Sequence, residues 1–221
     1  MMKIYAKVFP CEPTEGSEST LLARANLELG GTLKVNDVRI INGQDGPFVA
    51  MPSYKAGEAE YKEFCNPTTK EFREAVAATV LDAYNRDSKW SVREGDTNPS
   101  VDVIVSKYDK DRIRAIGSFV LGKEFRVNNV TVRENTNGNL FATLPSTSYE
   151  KDGERKYRSI CAPVEDKEGL IIGSIINAAK AKIAEKEPLE AQVAAAEAAK
   201  QKKAAGDADR GAEKAENAGR D

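Results

Sequence analysis

Apolar and polar residues alternate along several stretches of the chain, and this pattern predicts two successive sets of β-strands. The first set is predicted at residues 3–9, 22–29, 33–41 and 48–51. The second set is predicted at residues 101–108, 112–121, 125–133 and 140–144. Turns rich in Asn, Asp and Gly precede the last strand of each set, as is typical of antiparallel hairpins. The pattern therefore predicts two small antiparallel sheets.

Each set of strands is followed by a segment with helical periodicity. Thr68 or Thr69 can cap a helix that extends to about Tyr84. Its predicted buried stripe consists of apolar residues three and four positions apart: Phe72, Val76, Val80 and Ala83. Counting from Pro163 without gaps puts these residues at the same places in the second helix: Glu168, Ile172, Ile176 and Ala179. The second helix is richer in isoleucine, which predicts burial against a further surface, either the other set of strands or another chain.

The two sets are copies of one unit. Three segments recur in the same order: Val35-Asn36-Asp37-Val38 as Val127-Asn128-Asn129-Val130, Phe48–Ser53 as Phe141–Ser146, and Tyr61–Pro67 as Tyr157–Pro163. The separation between copies exceeds 90 residues, whereas the repeats of solenoid proteins are roughly 20–50 residues long. The sequence therefore predicts the duplication of a whole domain.

Together these patterns predict an α+β fold of two tandem antiparallel β-sheet units, each followed by a C-terminal helix and packed as an internal pseudo-dimer. The predicted boundaries are 1–85 for the first unit, 86–99 for a polar linker and 100–186 for the more diverged second unit. Residues 187–221 are dominated by Ala, Glu and Lys. For this tail we predict a helix followed by a disordered end.

The composition excludes several kinds of site. The chain of 221 residues contains no histidine, which excludes Ser-His-Asp and Cys-His nucleophile systems and zinc sites with histidine ligands. Its three cysteines are far apart and form neither a disulfide framework nor a CxxC metal motif. No signal peptide, membrane span or glycine-rich phosphate loop is present. We therefore expect a cytoplasmic protein that is not an enzyme and needs no metal or cofactor.

Charge is unevenly distributed along the chain. The formal net charge is −2, so any contact with nucleic acid must come from a local basic patch. The net charge is −2 over residues 1–95 and +2 over residues 96–186. One loop of the second copy gathers four cations around Tyr157: Lys151, Arg155, Lys156 and Arg158. Cations neutralise phosphates and an aromatic ring can stack on an unpaired base; the alternative interpretation is a solvated surface.

Trp90 lies in the predicted linker and is open to two interpretations. It can anchor the linker by packing against a domain, or it can offer a platform on which a base stacks. The alternation of the sequence does not decide between them.

The segment from Val35 to Ser53 resembles the signature of the SpoVG (stage V sporulation protein G, septation regulator) family. It reads Val-Asn-Asp-Val-Arg-Ile-Ile-Asn-Gly-Gln-Asp-Gly-Pro-Phe-Val-Ala-Met-Pro-Ser. The resemblance continues through Tyr61-Lys62-Glu63 and from Pro67 to Val80-Leu81-Asp82-Ala83-Tyr84, so it covers nearly all of the first copy. The second copy keeps the spacing but replaces Phe-Val-Ala-Met-Pro-Ser with Phe-Ala-Thr-Leu-Pro-Ser.

The resemblance implies a small antiparallel sheet with a C-terminal helix. It also implies a bacterial, cytoplasmic, nucleic-acid-binding regulator of septation, sporulation and gene expression, in a family of single-unit proteins that form homodimers. This chain differs in carrying two units in tandem. The family's basic positions fall on Lys55, Lys62 and Arg73; in the second copy Arg158 matches Lys62, whereas Gly169 stands opposite Arg73.

Two hypotheses for function follow. In the first, the protein binds nucleic acid through the 151–158 loop, assisted by Lys55, Lys62 and Arg73, and acts as a regulator without enzymatic activity. The sequence leaves open whether the nucleic acid is DNA or RNA, and whether the host is a bacterium or a bacteriophage. In the second hypothesis, the isoleucine-rich helix and the C-terminal tail form an interaction scaffold that associates with itself or with a protein partner.

Overall fold

The alternating segments of both copies form strands, as predicted. The computed structural model describes residues 1–11 and 20–185. The first copy comprises β1 (Ile4–Pro10), β2 (Leu21–Leu29), β3 (Leu33–Gly43), β4 (Gly46–Ala50), β5 (Ser53–Lys55), β6 (Tyr61–Glu63), β7 (Cys65–Pro67) and helix α1 (Lys70–Asn85), followed by β8 (Trp90–Arg93). The second copy comprises β9 (Val101–Lys110), β10 (Ile113–Leu121), β11 (Phe125–Glu134), β12 (Leu140–Thr143), β13 (Ser146–Lys151), β14 (Glu154–Ser159), β15 (Cys161–Pro163) and helix α2 (Glu168–Ala184). The prediction of an α+β fold with two sheet units, each followed by a helix, is confirmed.

Each copy donates one short strand to the sheet of the other copy. The first sheet has the order β15-β3-β2-β1-β8, with β4 also paired to β3. The second has the order β12-β11-β10-β9, with β7 paired to β11. Cys65 of β7 lies opposite Val127, and Cys161 of β15 lies opposite Val35. The exchange is therefore reciprocal and relates the two copies by an internal pseudo-two-fold axis.

Two equivalent asparagines hold the exchanged segments. The backbone amide of Asn36 donates to the carbonyl oxygen of Ile160, and that of Asn128 donates to the carbonyl oxygen of Phe64, each at 2.8 Å. Asp37 and Asn129 come next, with φ angles of 64° and 56°. Asp and Asn adopt this left-handed conformation more readily than other residues with side chains. The repeated Asn-Asp and Asn-Asn pairs thus have a structural role.

Helix α1 begins where the sequence predicted. The side chain of Thr69 accepts a hydrogen bond from the backbone amide of Phe72 at 3.1 Å, which satisfies one of the free amides of the first turn. The predicted stripe is buried: Phe72, Val76, Val80 and Ala83. The ring of Phe72 also packs edge-on against Phe125 of the second copy, with centroids 6.4 Å apart. One continuous apolar core therefore includes side chains from both copies, and both copies lie within one compact unit, Met1–Ile183.

The gapless prediction for helix α2 is correct at one position of four. Ala179 is buried as predicted, whereas Ile172 and Ile176 are half-buried and Glu168 is exposed. The other buried residues are Ile171 and Ile175. A 3₁₀ turn at Glu165–Lys167 precedes this helix, whereas α1 starts directly from its threonine cap. The extra turn changes which side of the helix faces the core.

The segment interpreted as a linker contributes a strand to the first sheet. Residues 90–93 form β8, which pairs with β1 and places Lys7 opposite Trp90. The hydroxyl of the buried Ser91 donates to Asp82 of α1 at 2.5 Å, so β8 is tied to the helix as well as to the sheet. The predicted tail, 187–221, lies outside the described residues. In the part of the chain that the structure describes, no helix has the length and apolar character needed to cross a membrane.

Candidate nucleic-acid interface

The loop predicted to carry the cations of the second copy is a β-hairpin. Strands β13 and β14 pair from Ser146 opposite Ser159 to Lys151 opposite Glu154. Residues directly opposite each other in an antiparallel pair lie on the same face, and successive residues alternate between faces. The hairpin therefore divides its side chains into two sets.

The first face of the hairpin combines cations with an aromatic ring. Lys156 lies opposite Tyr149, and Arg158 lies diagonally across from the same tyrosine. The guanidinium carbon of Arg158 is 5.3 Å from the centre of the Tyr149 ring, a cation–π contact. Lys151 shares this face. Lys156 forms an exposed ion pair with Glu154 at 3.8 Å, which contributes little stabilisation because solvent screens it.

The second face carries Arg155 and Tyr157. Arg155 lies opposite Glu150, and Tyr157 lies opposite Ser148. The Tyr157 side chain is 69% exposed. The hairpin therefore separates the four predicted cations, three on one face and one on the other.

The equivalent hairpin of the first copy is shorter and less cationic. It consists of β5 and β6, with Lys55 opposite Tyr61 and Lys62 opposite Tyr54. Tyr61 is 69% exposed, like its counterpart Tyr157. Lys62 pairs with Glu60 at 3.3 Å, which offsets its charge.

A cleft of about 810 Å³ lies beside this shorter hairpin. Lys62 and Tyr61 line it from the first copy, and Asn128 and Asn129 line it from the second. Arg73 is exposed on the first turns of α1, and its guanidinium is 3.5 Å from the carbonyl oxygen of Pro67. The structure thus brings Lys55 and Lys62 together on one hairpin and holds Arg73 on the helix.

The pseudo-two-fold counterpart of this cleft contains Arg158. A depression of about 350 Å³ is lined by Phe9, Arg24, Asn26, Asn36, Asp37 and Arg158. Arg24 and Asp37 form an ion pair there. Phe9 and Arg24 are not predicted from the sequence as site residues, because both occupy strand positions on the side that faces solvent and only the strand register shows that they are neighbours.

Other cations are already neutralised within the fold. The guanidinium of Arg114 is hydrogen-bonded to Glu134 and paired with Asp109, and these contacts raise the pKa of Arg114. Arg86 pairs with Asp82 at 2.9 Å. Among the described residues, no group of Cys, Asp and Glu side chains is arranged to hold a metal ion.

The fold and these surfaces define the class: a duplicated α+β protein whose two sheets exchange strands and present charged hairpins. The SpoVG family model matches residues 2–86. A relative from Clostridium perfringens, named "Putative septation protein SpoVG", is 32% identical over 78 residues, which cover 35% of this chain and 87% of the relative. The chain belongs to the SpoVG family.

Relatives of the same name come from two further organisms. The protein of Treponema denticola is 37% identical over 68 residues, covering 31% of this chain and 73% of the relative. That of Borreliella burgdorferi is 32% identical over 75 residues, covering 34% of this chain and 77% of the relative. The family model thus accounts for the first copy, and the second copy is related to it by the repeat and by the fold.

Proposed function

We propose that this protein is a nucleic-acid-binding regulator of the SpoVG type, acting in septation, sporulation or gene expression without enzymatic activity. The observation that supports it best is the β13–β14 hairpin. Its first face presents Lys151, Lys156 and Arg158 around the Tyr149 ring. Lysine and arginine neutralise phosphates, and tyrosine stacks on bases.

Because of the overall charge, any affinity for nucleic acid must arise at a local surface and not from the protein as a whole. A net charge of −2 gives no long-range attraction to a polyanion. Affinity must then come from contacts at the hairpin and must fall as salt competes for the phosphates. Lys55, Lys62 and Arg73 are proposed as weaker contributors, since Lys62 is paired with Glu60.

The test is fluorescence anisotropy with labelled single-stranded DNA, duplex DNA and RNA at about 50 and 200 mM salt. We expect binding that weakens at least severalfold at the higher salt concentration. Charge reversal of Arg155, Lys156 and Arg158 should abolish most of it. Wild-type protein that binds none of the three probes at low salt would refute the proposed function. Unchanged affinity in the charge-reversal variant would refute the hairpin assignment only.

The alternative function is an interaction scaffold built on α2 and the tail. Leu170 at the start of α2 is 39% exposed, which supports an apolar contact with a partner. Two of the central isoleucines do not support it, because Ile171 and Ile175 are buried within this chain, whereas Ile172 and Ile176 are half-buried. A scaffold predicts a defined oligomer in light scattering that persists in high salt, and Leu170→Ser should dissociate it.

A further inference from the structure

The outer face of the first sheet, opposite its buried side chains, carries a continuous groove. A depression of about 180 Å³ is lined by Tyr5, Lys7, Asn26, Leu27, Glu28, Lys34 and Asn36. The depression that contains Arg158 also includes Asn26 and Asn36. The two depressions are therefore adjacent and run across β1, β2 and β3.

Aromatic rings stand along this groove. Trp90 stacks on Tyr5 with centroids 6.3 Å apart and remains 46% exposed. Phe9 is 44% exposed, and the ammonium of Lys7 is 5.5 Å from the centre of its ring. Solvent-exposed rings of this size normally gain from burial, so each offers a surface on which a flat ligand can stack.

Cations lie between the rings. Lys7 and Lys34 are exposed on the same face as Trp90 and Tyr5, and no described carboxylate forms an ion pair with either ammonium. Glu28 is the acidic residue between Tyr5 and Lys34 in the strand register. Arg158 adds a further cation at the far end of the groove.

The second copy provides an internal comparison. Its strand register makes Ile104 the counterpart of Lys7, Ser106 that of Phe9, and Ile116 that of Arg24. The counterpart of Tyr5 is Asp102. The cation Lys34 has a cationic counterpart, Arg126. At the other four positions the fold does not require a cation or an aromatic ring, so the residues of the first copy there are available to serve a ligand.

We propose that this groove, from Trp90 to Arg158, binds a single-stranded nucleic acid, an inference that rests on the proposed function and extends it to a second surface. Unpaired bases expose the faces that Trp90, Tyr5 and Phe9 can stack on, whereas those of a duplex are covered by their neighbours. Lys7 and Lys34 neutralise the phosphates between stacked bases. Arg158, which also contacts Tyr149, joins the groove to the β13–β14 hairpin.

The most direct test uses Trp90 as its own probe, because it is the only tryptophan in the chain. A single strand of about 12 thymidines, titrated into the full-length protein, should quench the indole emission saturably as bases stack on the ring. A duplex of the same length should quench it much less. Quenching by the duplex as strong as that by the single strand would overturn the proposal.

Variants then connect the groove to affinity. Trp90→Ala and Phe9→Ala should each weaken binding of the single strand by about fivefold to a hundredfold, in line with the loss of one stacked base. Phe141→Ala and Ile104→Ala remove exposed side chains of the second copy and serve as matched controls that keep wild-type affinity. Since Trp90 lies in an edge strand, Lys7→Glu with Lys34→Glu gives a second test that leaves the rings intact.

The outcomes separate this inference from the function on which it rests. If the wild-type protein binds no nucleic acid, the proposed function fails and the groove fails with it. The hairpin variant for this comparison reverses Arg155 and Lys156 only, because Arg158 also lines the groove. If that variant binds more weakly while the single strand does not quench Trp90 and the groove variants keep wild-type affinity, the groove alone is refuted. If both sets of variants lose affinity and the controls do not, both surfaces contact the strand.

Discussion

The thiol groups of Cys65 and Cys161, one from each exchanged strand, interact with each other in the core. Both residues are buried, and neither is in a disulfide. They are equivalent in the repeat, so their contact lies where the pseudo-two-fold axis passes through the core. Hydrogen bonding of the Cys65 thiol to Cys161, together with burial, raises the pKa of Cys65.

This contact predicts selective labelling of the cysteines. At about pH 8 an exposed thiol is partly ionised and reacts, whereas a raised pKa keeps Cys65 protonated and burial blocks access to it. Iodoacetamide should therefore modify Cys11, which is partly exposed, and leave Cys65 and Cys161 unmodified. Mass spectrometry of the native protein should show one adduct. The same protein in denaturant should show three, and two or more adducts under native conditions would contradict the buried contact.

The asparagine pair predicts matched losses of stability. The side-chain amide of Asn36 donates to the carbonyl oxygen of Ser159 at 3.0 Å, and that of Asn128 donates to the carbonyl oxygen of Glu63 at 3.2 Å. Asn36→Ala and Asn128→Ala should each lower the free energy of unfolding by about 1 kcal/mol, measured by urea denaturation. Asn26→Ala, at an exposed strand position, is the control. Equal urea midpoints for all three variants would show that the hydrogen bonds of Asn36 and Asn128 do not stabilise the exchange.

The contact between β8 and α1 predicts a pH-dependent stability. Hydrogen bonds from Ser91 and Arg86 lower the pKa of Asp82 in the folded protein. A carboxyl group with a lowered folded pKa stabilises the fold above its unfolded pKa and loses that contribution as the pH falls through the folded value. Asp82→Asn should therefore melt below the wild type at pH 7, and the difference should shrink as the pH falls from about 5. Thermal melts across this pH range measure the difference, and a difference that does not change with pH would contradict the role of Asp82.

The hairpin predicts a measurable salt slope. Each phosphate contact contributes about 0.7 to the slope of log affinity against log salt for a single strand, and about 0.9 for a duplex. Lys156→Ala should reduce the magnitude of the slope by about one such increment in anisotropy titrations. Lys180→Ala, which removes an exposed cation of α2, should leave the slope unchanged. If the Lys156→Ala and Lys180→Ala variants gave the same salt slope, Lys156 would not contact a phosphate.

Local sequence determined much of the fold in advance. Alternation and turn residues located β1–β4 and β9–β12, because each has at least four residues and most lie next to a recognisable turn. Thr68 and Thr69 marked the start of α1, since either hydroxyl can satisfy a free amide, and the structure shows that Thr69 is the cap. The exchange of β7 and β15 was beyond this reasoning, because strands of three residues show no period and their partners are distant in sequence.

The site was predictable only in part. The four cations of residues 151–158 were visible as a cluster of charge, but their division between two faces depends on the register of Tyr149 opposite Lys156. The groove could not be predicted from the sequence, because Lys7, Asn26 and Trp90 become neighbours only when β2 and β8 pair with β1. Sequence shows which residues are polar, and strand pairing decides which of them are neighbours.

The reciprocal exchange of β7 and β15 also bears on how the protein can diversify. In a homodimer of two identical chains, every substitution appears in both subunits and so alters both symmetry-related surfaces. Here one covalent chain supplies both halves, so a substitution alters one face and leaves its counterpart untouched. Lys7 and Ile104 illustrate this, since they differ in chemistry at equivalent positions of the two sheets. The molecule therefore combines a near-symmetric architecture with two chemically distinct sides.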